Sequence, residues 1–252
     1  MASTTLESTH ERLQLKLRAY WALIKNLQTG LLGITGLAGY LSARPAATWA
    51  DVLSLLGSLL LAISGSTVLN MVIDRDIDAR MARTAQRPLP SGTVSATEAL
   101  VLGLLIALLG TGWALLIAPL YGAVVLTGLV CDVVVYSLWL KRRTPWSIIW
   151  GGIAGGMPIL AGRVLACGCI DAIGAGLALA ILLWIPTHIL TFSIKCADDY
   201  RRAGVPVFPN HYGIRATRVI IGVSTGGAVA MMLWSMHALE LAPLLLVLAS
   251  TL

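Results

Sequence analysis

The chain has 252 residues, of which 57% are apolar and only 12% charged, against about 25% charged in soluble domains, and its mean hydropathy is +0.83. That balance excludes a soluble globular fold, a disordered chain and a disulfide scaffold, and it leaves the net charge of +6 to a few loops. Repeated apolar runs of about 20 residues, rich in Leu, Ala, Ile and Gly and lacking period-two alternation, exclude a transmembrane barrel and predict an all-α polytopic transmembrane helical bundle.

Residues 1–20 are polar and charged and read as a cytoplasmic or interfacial segment with no cleavable signal. The rest of residues 1–252 reads as one membrane domain. Leu13 to Trp21 is expected to lie along the interface. Span one is placed at 22–43 and span two at 51–73, ending in Asn70-Met71-Val72-Ile73-Asp74-Arg75-Asp76-Ile77-Asp78. A spacing of four sets Asn70, Asp74 and Asp78 on one helical face, while Asp76 points away and can pair with Arg80. Spans three and four follow at 94–117 and 119–140. Asp132 lies inside the fourth, one turn before Tyr136, and an intramembrane carboxylate is a functional candidate; a base or acceptor-holding role and a hydrogen-bonded structural role both stay open. Lys141-Arg142-Arg143 comes next. Span five, 146–166, carries Gly151-x3-Gly155 and Gly152-x3-Gly156, a pattern for close helix crossing. Span six, 171–194, holds Pro186 and His188 and ends near Asp198-Asp199-Tyr200. Span seven is placed at 216–236. An eighth begins at Leu241, with too few residues left for a full crossing.

All but Arg44 and Arg163 of the 18 basic residues fall before or at the start of span one, or after an even-numbered span. The positive-inside rule therefore puts the N-terminus and the loops 75–93, 141–146 and 195–215 in the cytoplasm, on one surface of a multi-pass cell-membrane protein. Most of these cations serve as topology determinants and anionic-lipid contacts. The cysteines Cys131, Cys167, Cys169 and Cys196 match no zinc spacing.

Carboxylates at a helix C-terminus oppose the macrodipole, and at membrane depth each ionised one costs about 2.5 to 3.5 kcal/mol. A divalent cation would compensate: Mg²⁺ takes one or two carboxylates and completes its octahedron with phosphate and water. The face thus predicts Mg²⁺ with a phosphorylated substrate, the alternative being solvated aspartates that merely end a span. Asp198 and Asp199 stand in the same relation to span six, and Lys141 and Arg142 supply the cations that diphosphate recognition requires. Heterolysis of an allylic diphosphate in a dry, lipid-accessible central chamber is the inferred chemistry.

The string Asn70-x3-Asp74-Arg75-Asp76-Ile77-Asp78-x2-Met81-x-Arg83-Thr84-x2-Arg87-Pro88-Leu89-x2-Gly92 resembles the first aspartate-rich motif of the UbiA superfamily of intramembrane prenyltransferases, in the form carried by its haem-farnesylating branch. Tyr136-Ser137-x2-Leu140-Lys141-Arg142-Arg143-Thr144-Pro145-Trp146, Gly151-Gly152-x2-Gly155-x2-Pro158-x2-Ala161-Gly162, Trp184-x-Pro186-x-His188 and Asp199-Tyr200-x2-Ala203-Gly204-Val205-Pro206-x2-Pro209 follow in family order. The resemblance covers roughly residues 20 to 215 and implies a bundle of usually nine spans. The implied reaction is Mg²⁺-dependent transfer of a farnesyl group from farnesyl diphosphate to a vinyl group of haem B, giving haem O.

Carried over by position, Asn70, Asp74 and Asp78 resemble the first metal and diphosphate site, and Asp199, with its neighbour Asp198, the second. Lys25, Lys141 and Arg142 resemble diphosphate contacts. His188, with Tyr136 and Asp132, is expected on the acceptor side. Departures concern Lys195, where many members have an aspartate, Ser147, where asparagine is usual, and Ile189 and Leu190, which replace an aromatic pair; Asn210-His211-Tyr212 after Pro209 is also atypical. Prenyl transfer to an aromatic, quinone-precursor or glycerophosphate-lipid acceptor stays open, as does a transporter with a cation site. A nucleic-acid partner is not expected, and the absence of a ninth span would leave part of one chamber wall to another subunit or to membrane lipid.

Overall fold

The computed structural model describes residues 14–241, and every described element is helical. Helix α1 covers residues 14–23, and a turn at Ile24 and Lys25 separates it from α2 (Asn26–Leu41). There follow α3 (Trp49–Ile73), α4 (Arg75–Arg80), α5 (Ala96–Ile117) and α6 (Pro119–Val130), which runs on as a π-helical segment over Cys131–Leu140. Helices α7 (Ser147–Cys167), α8 (Ala172–Lys195), α9 (Ala197–Ala203) and α10 (Phe208–Ala238) complete the order.

Local chemistry sets most boundaries. Thr48 and Asp51 cap α3 reciprocally, as Ser95 and Glu98 cap α5, so that two orphan N–H groups are satisfied at each start. Pro119 opens α6, where its missing donor costs nothing. The Asp171 carboxylate accepts the Gly174 N–H at 2.8 Å to start α8, and Gly168, left-handed at φ 75°, ends α7.

Among the described residues, six helices are long and apolar enough to cross a membrane: α3, α5, α6 with its π segment, α7, α8 and α10. Span one differs from its expected 22–43, because the turn at Lys25 leaves α2 only 16 residues long. Span seven is longer than expected. Pro209 sits in its first turn, and non-helical Gly213 (φ 81°, ψ 165°) joins two helical stretches into α10. The expected eighth span lies outside the described residues beyond Leu241.

Helix α7 is the hub, packing on α2, on α6 with its π segment, and on α8, while α3 pairs chiefly with α5 and α8 with α10. The central apolar cluster joins Tyr40, Leu55, Leu59, Tyr121, Ile159 and Leu177 from five helices. A Cβ on Gly162 would fall on the Gly36 carbonyl, so α2 and α7 touch backbone to backbone there. Gly156 meets the Ala178 backbone of α8 in the same way, whereas Gly151 makes room for the Tyr136 ring. The outer surface is apolar: Leu108 is 69% and Leu116 88% exposed on α5, as expected of side chains that face lipid.

Candidate active site

The ionic groups gather at the end of the bundle where α3 stops. Asp74 leaves the helix (φ −90°, ψ 3°) and six-residue α4 follows, yet the four-residue rhythm survives the break. The Asp74 N–H donates to the Asn70 carbonyl at 2.9 Å and the Asp78 N–H to the Asp74 carbonyl at 2.8 Å. Both carboxylates are buried, with Asp74 7% and Asp78 5% exposed. Lys141 donates to Asp74 Oδ2, and Arg87 Nη1 donates to Asp78 Oδ2 at 2.8 Å. Buried Thr84 donates to the Asp78 carbonyl at 2.8 Å and pins the loop that carries Arg87. Asp76 points outward as expected, but Arg142 is its closer partner, at 2.6 and 2.8 Å, with Arg80 at 3.6 Å. Arg142 also donates to the Ile73 carbonyl at 2.7 Å and closes the end of α3.

The π-helical segment decides what α6 presents to this end. Nine residues make about 2.5 turns of an α-helix, which would put Asp132 and Lys141 on opposite sides, but about two turns at the roughly 4.4 residues per turn of i→i+5 bonding. The Lys141 N–H donates to the Tyr136 carbonyl at 2.9 Å, an i→i+5 bond. Asp132, Ser137 and Lys141 consequently all reach α3: Asp132 Oδ2 accepts from Asn70 Nδ2 and Ser66 Oγ, each at 2.6 Å, and Ser137 donates to Asn70 Oδ1 at 2.8 Å. Asp132 thus stands hydrogen-bonded to Asn70. The Lys141 ammonium lies 5.4 Å from the centre of the Tyr136 ring.

Lys25 enters from the α1–α2 turn in a left-handed conformation (φ 44°, ψ 56°), which costs a non-glycine residue about 1 kcal/mol. Its ammonium is close enough to feel the positive charges of Arg87 and Lys141 and the negative charges of Asp78 and Asp132. Lys25 belongs to none of the ion pairs among the described residues. A half-buried cation with no carboxylate of its own among the described residues, beside two more cations, is an arrangement for a multiply charged anion.

The second acidic stretch splits. Asp199 keeps 13% of its side chain exposed and pairs with Arg202, whereas the Asp198 side chain is 81% exposed and pairs with Arg201 at 2.9 Å. The Asp198 side chain thus turns to the surface and that of Asp199 inward, because adjacent residues on one turn of α9 point about 100° apart. An apolar seam of Ile77, Met81, Ala203, Val205 and Val207 binds α4 to α9 and so brings Asp199 toward the first cluster. The Arg83 guanidinium lies over Phe192 and Tyr200, at 4.9 and 5.9 Å from the ring centres. His188 is elsewhere. It is exposed on α8, stacked on Trp184 at 5.5 Å and 5°. Trp184 borders a recess of about 350 Å³ between α8 and α10, and a second recess of about 890 Å³ lies beside α1 and α5; no aspartate lines either.

Burial pushes the Asp74 carboxyl above its ordinary range, with Lys141 pulling it back. Burial also opposes the charge on Lys141, but Tyr136 and Asp74 outweigh it and hold the ammonium above its usual value. The hydrogen bond from Arg142 holds Asp76 low, and the hydrogen bond from Arg202 does the same for Asp199.

Among the described residues no three His, Cys, Asp or Glu side chains lie close enough to cage a metal. Asp74 Oδ1, however, is buried without a hydrogen-bond partner, an unusual state for a carboxylate oxygen. Bare Asp74 Oδ1, with Asp78 and Asn70 on the same face, fits a hard cation shared with phosphate and water and does not fit an all-protein cage.

Sequence reasoning missed the roles of Arg87, Ser66 and Ser137. Arg87 read as one of many topology cations. Ser66 stands four residues before Asn70, so its helical face was readable, but its partner across the bundle was not.

The UbiA prenyltransferase family matches residues 31–252. Over 239 residues the chain is 42% identical to a protein of Korarchaeum cryptofilum called protoheme IX farnesyltransferase, covering 95% of this chain and 81% of the relative. A protein of Archaeoglobus fulgidus with the same name is 43% identical over 207 residues, covering 82% and 73%. A solved UbiA homologue from Archaeoglobus fulgidus bound to GPP and Mg²⁺ shares the fold at TM-score 0.75 and 16% identity, over 87% of this chain and 78% of that one.

Proposed function

The chain belongs to the UbiA prenyltransferase family, an integral membrane prenyltransferase, and on that premise we propose that it transfers a farnesyl group from farnesyl diphosphate to a vinyl group of haem B, with Mg²⁺, giving haem O. The observation that carries the donor half is buried Asp74, paired with Lys141 through Oδ2 and bare at Oδ1, beside the Arg87–Asp78 pair that Lys25 adjoins. The acceptor half rests on the relatives called protoheme IX farnesyltransferase.

Lys25, Lys141 and Arg87 would receive the diphosphate, and Asp74, Asp78 and Asn70 would hold Mg²⁺, with Asp199 on the neighbouring helix α9 as a further carboxylate. Bound there, Mg²⁺ supplies Lewis-acid stabilisation of the departing diphosphate. The allylic C–O bond breaks with its electron pair passing to the diphosphate oxygen, and the cationic side chains stabilise that growing charge most in the transition state. The haem vinyl π electrons then attack the farnesyl C1. Water adds to the benzylic-type cation left on the haem and loses a proton, giving a hydroxyethyl-farnesyl haem. An apolar chamber between the spans would exclude water from the first cation, with Tyr136 on its acceptor side, whereas His188 lies exposed on α8 away from the ionic end. By the positive-inside rule the ionic end faces the cytoplasm.

Purified protein in lipid, given Mg²⁺, farnesyl diphosphate and haem B, should yield a farnesyl-hydroxyethyl haem by mass that vanishes in Asp74→Ala. Pyrophosphate release without a haem product would keep the donor chemistry and overturn the acceptor. Silence in both channels would overturn both.

A further inference from the structure

Asp132 is an intramembrane carboxylate that the proposed transfer does not use. Its Oδ2 is the common acceptor for Ser66 Oγ and Asn70 Nδ2, both at 2.6 Å, and Ser137 holds the other end of the same amide at 2.8 Å. A primary amide has two orientations related by a flip. In the observed one the NH₂ group meets the carboxylate and the carbonyl oxygen meets the hydroxyl. Flipped, the amide would set its carbonyl against the Asp132 oxygen, lone pair to lone pair, and lose that bond, whereas the Ser137 hydroxyl can accept as well as donate, so Asp132 is the partner that sets the sense. Asn70 is therefore held in one sense by a partner from outside its own helix.

The location matters as much as the bonds. Asn70 lies one turn before Asp74, on the face where Asp74 Oδ1 is bare. Only the π-helical winding of Cys131–Leu140 lets Asp132 and Ser137 reach that amide while Lys141 reaches Asp74. In an α-helix, residues five apart diverge by about 140°, against about 50° in a π-helix. One distortion of α6 thus serves three contacts to α3.

We propose that Asp132, anchored by Ser66, is a positioning residue of the donor site that fixes the Asn70 amide and so completes, with Asp74, the oxygen-lined wall for a divalent cation bound to diphosphate. This rests on the donor half of the proposed function. Partners that orient a metal ligand typically change metal affinity or activity 10–100-fold when removed.

The test is a double-mutant cycle read by binding, with farnesyl thiodiphosphate, an unreactive analogue, titrated in the presence of Mg²⁺ onto the full chain in lipid. Asp132→Leu should weaken Mg²⁺-dependent binding by about 10–100-fold, and Asp132→Asn, which can still accept both hydrogen bonds, should recover most of it. In an Asn70→Ala background Asp132→Leu should add less than about twofold, because the residue it positions is gone. Additive losses in the cycle, or full-strength binding by Asp132→Leu, would overturn the inference. If Asp132→Leu does not fold, the cycle of Ser137→Ala with Asn70→Ala carries the same expectation at the other end of the amide. Wild-type protein that fails to bind the analogue with Mg²⁺ would overturn the donor reading and this inference together. Wild-type binding with an additive cycle would overturn the inference alone.

Discussion

At one end of the bundle Arg163 donates to both oxygens of Asp171, at 2.6 to 2.9 Å, while Nη1 donates to Ser42 at 2.8 Å and Asp171 Oδ1 also caps α8. At the other end Lys141 donates to one oxygen of Asp74 and the second is left bare. Both pairs join an aspartate at a helix terminus to a buried or nearly buried cation, but only the first is closed. A closed pair fixes α7, α8 and the end of α2 in place. An open pair leaves a lone pair unused, and it does so near Lys25, Arg87 and Asp78, where burial already pushes the Asp74 carboxyl above its ordinary range. The comparison teaches that burial and ion pairing alone do not distinguish the two ends; the unpartnered carboxylate oxygen among further cations does.

The largest effect should come from the open end. Asp74→Ala should reduce Mg²⁺-dependent pyrophosphate release at least about 10²-fold, with little loss of thermal stability in detergent. The closed end should behave in the opposite sense: Arg163→Met strands Asp171 and should lower unfolding stability by about 3 kcal/mol, while the protein that stays folded keeps its turnover and its KM for the prenyl diphosphate. Equal activity losses at both ends would break the comparison.

Lys25→Met should raise KM for the diphosphate about tenfold, equivalent to about 1.4 kcal/mol, and barely change the thermal midpoint. A titration of stability against pH should separate the pairs further. The hydrogen bond from Arg163 holds Asp171 below the ordinary carboxylate value, so its contribution is present above that value and lost as pH falls through the depressed one. Asp171→Asn should flatten that acid limb. Smallest of all, Asp198→Ala removes only an exposed pair with Arg201 and should leave stability and turnover unchanged within error. A large loss there would restore Asp198 to the site.

Much of the ionic end was legible in the chain. The spacing of Asn70, Asp74 and Asp78 survives the helix break because the i→i+4 bonds bridge it, and the basic loops do meet the acidic ones. Asp132 was legible as a candidate but not in its role, since a run of apolar residues looks the same whether it winds with four-residue or five-residue bonding. Asp198 and Asp199 are neighbours in sequence and differ only in which way α9 is rolled against α4, which the seam of Ile77, Met81 and Val205 decides.

What the sequence by itself determined is local or periodic: apolar run lengths, the capping boxes at Thr48 and Ser95, the sidedness of the basic residues, and the carboxylate face at the end of α3. Each follows from helix geometry or from the cost of charge in lipid, and neither needs a distant partner. Tertiary structure alone decided which cation each carboxylate keeps, that Lys25 pairs with none of the described carboxylates, that the Asn70 amide is held by Asp132 and Ser137, and that Arg163 and Asp171 close on each other. These are contacts between helices, and they depend on how α6 and α7 are rotated and wound against their neighbours, which side-chain packing fixes only when the whole bundle is assembled.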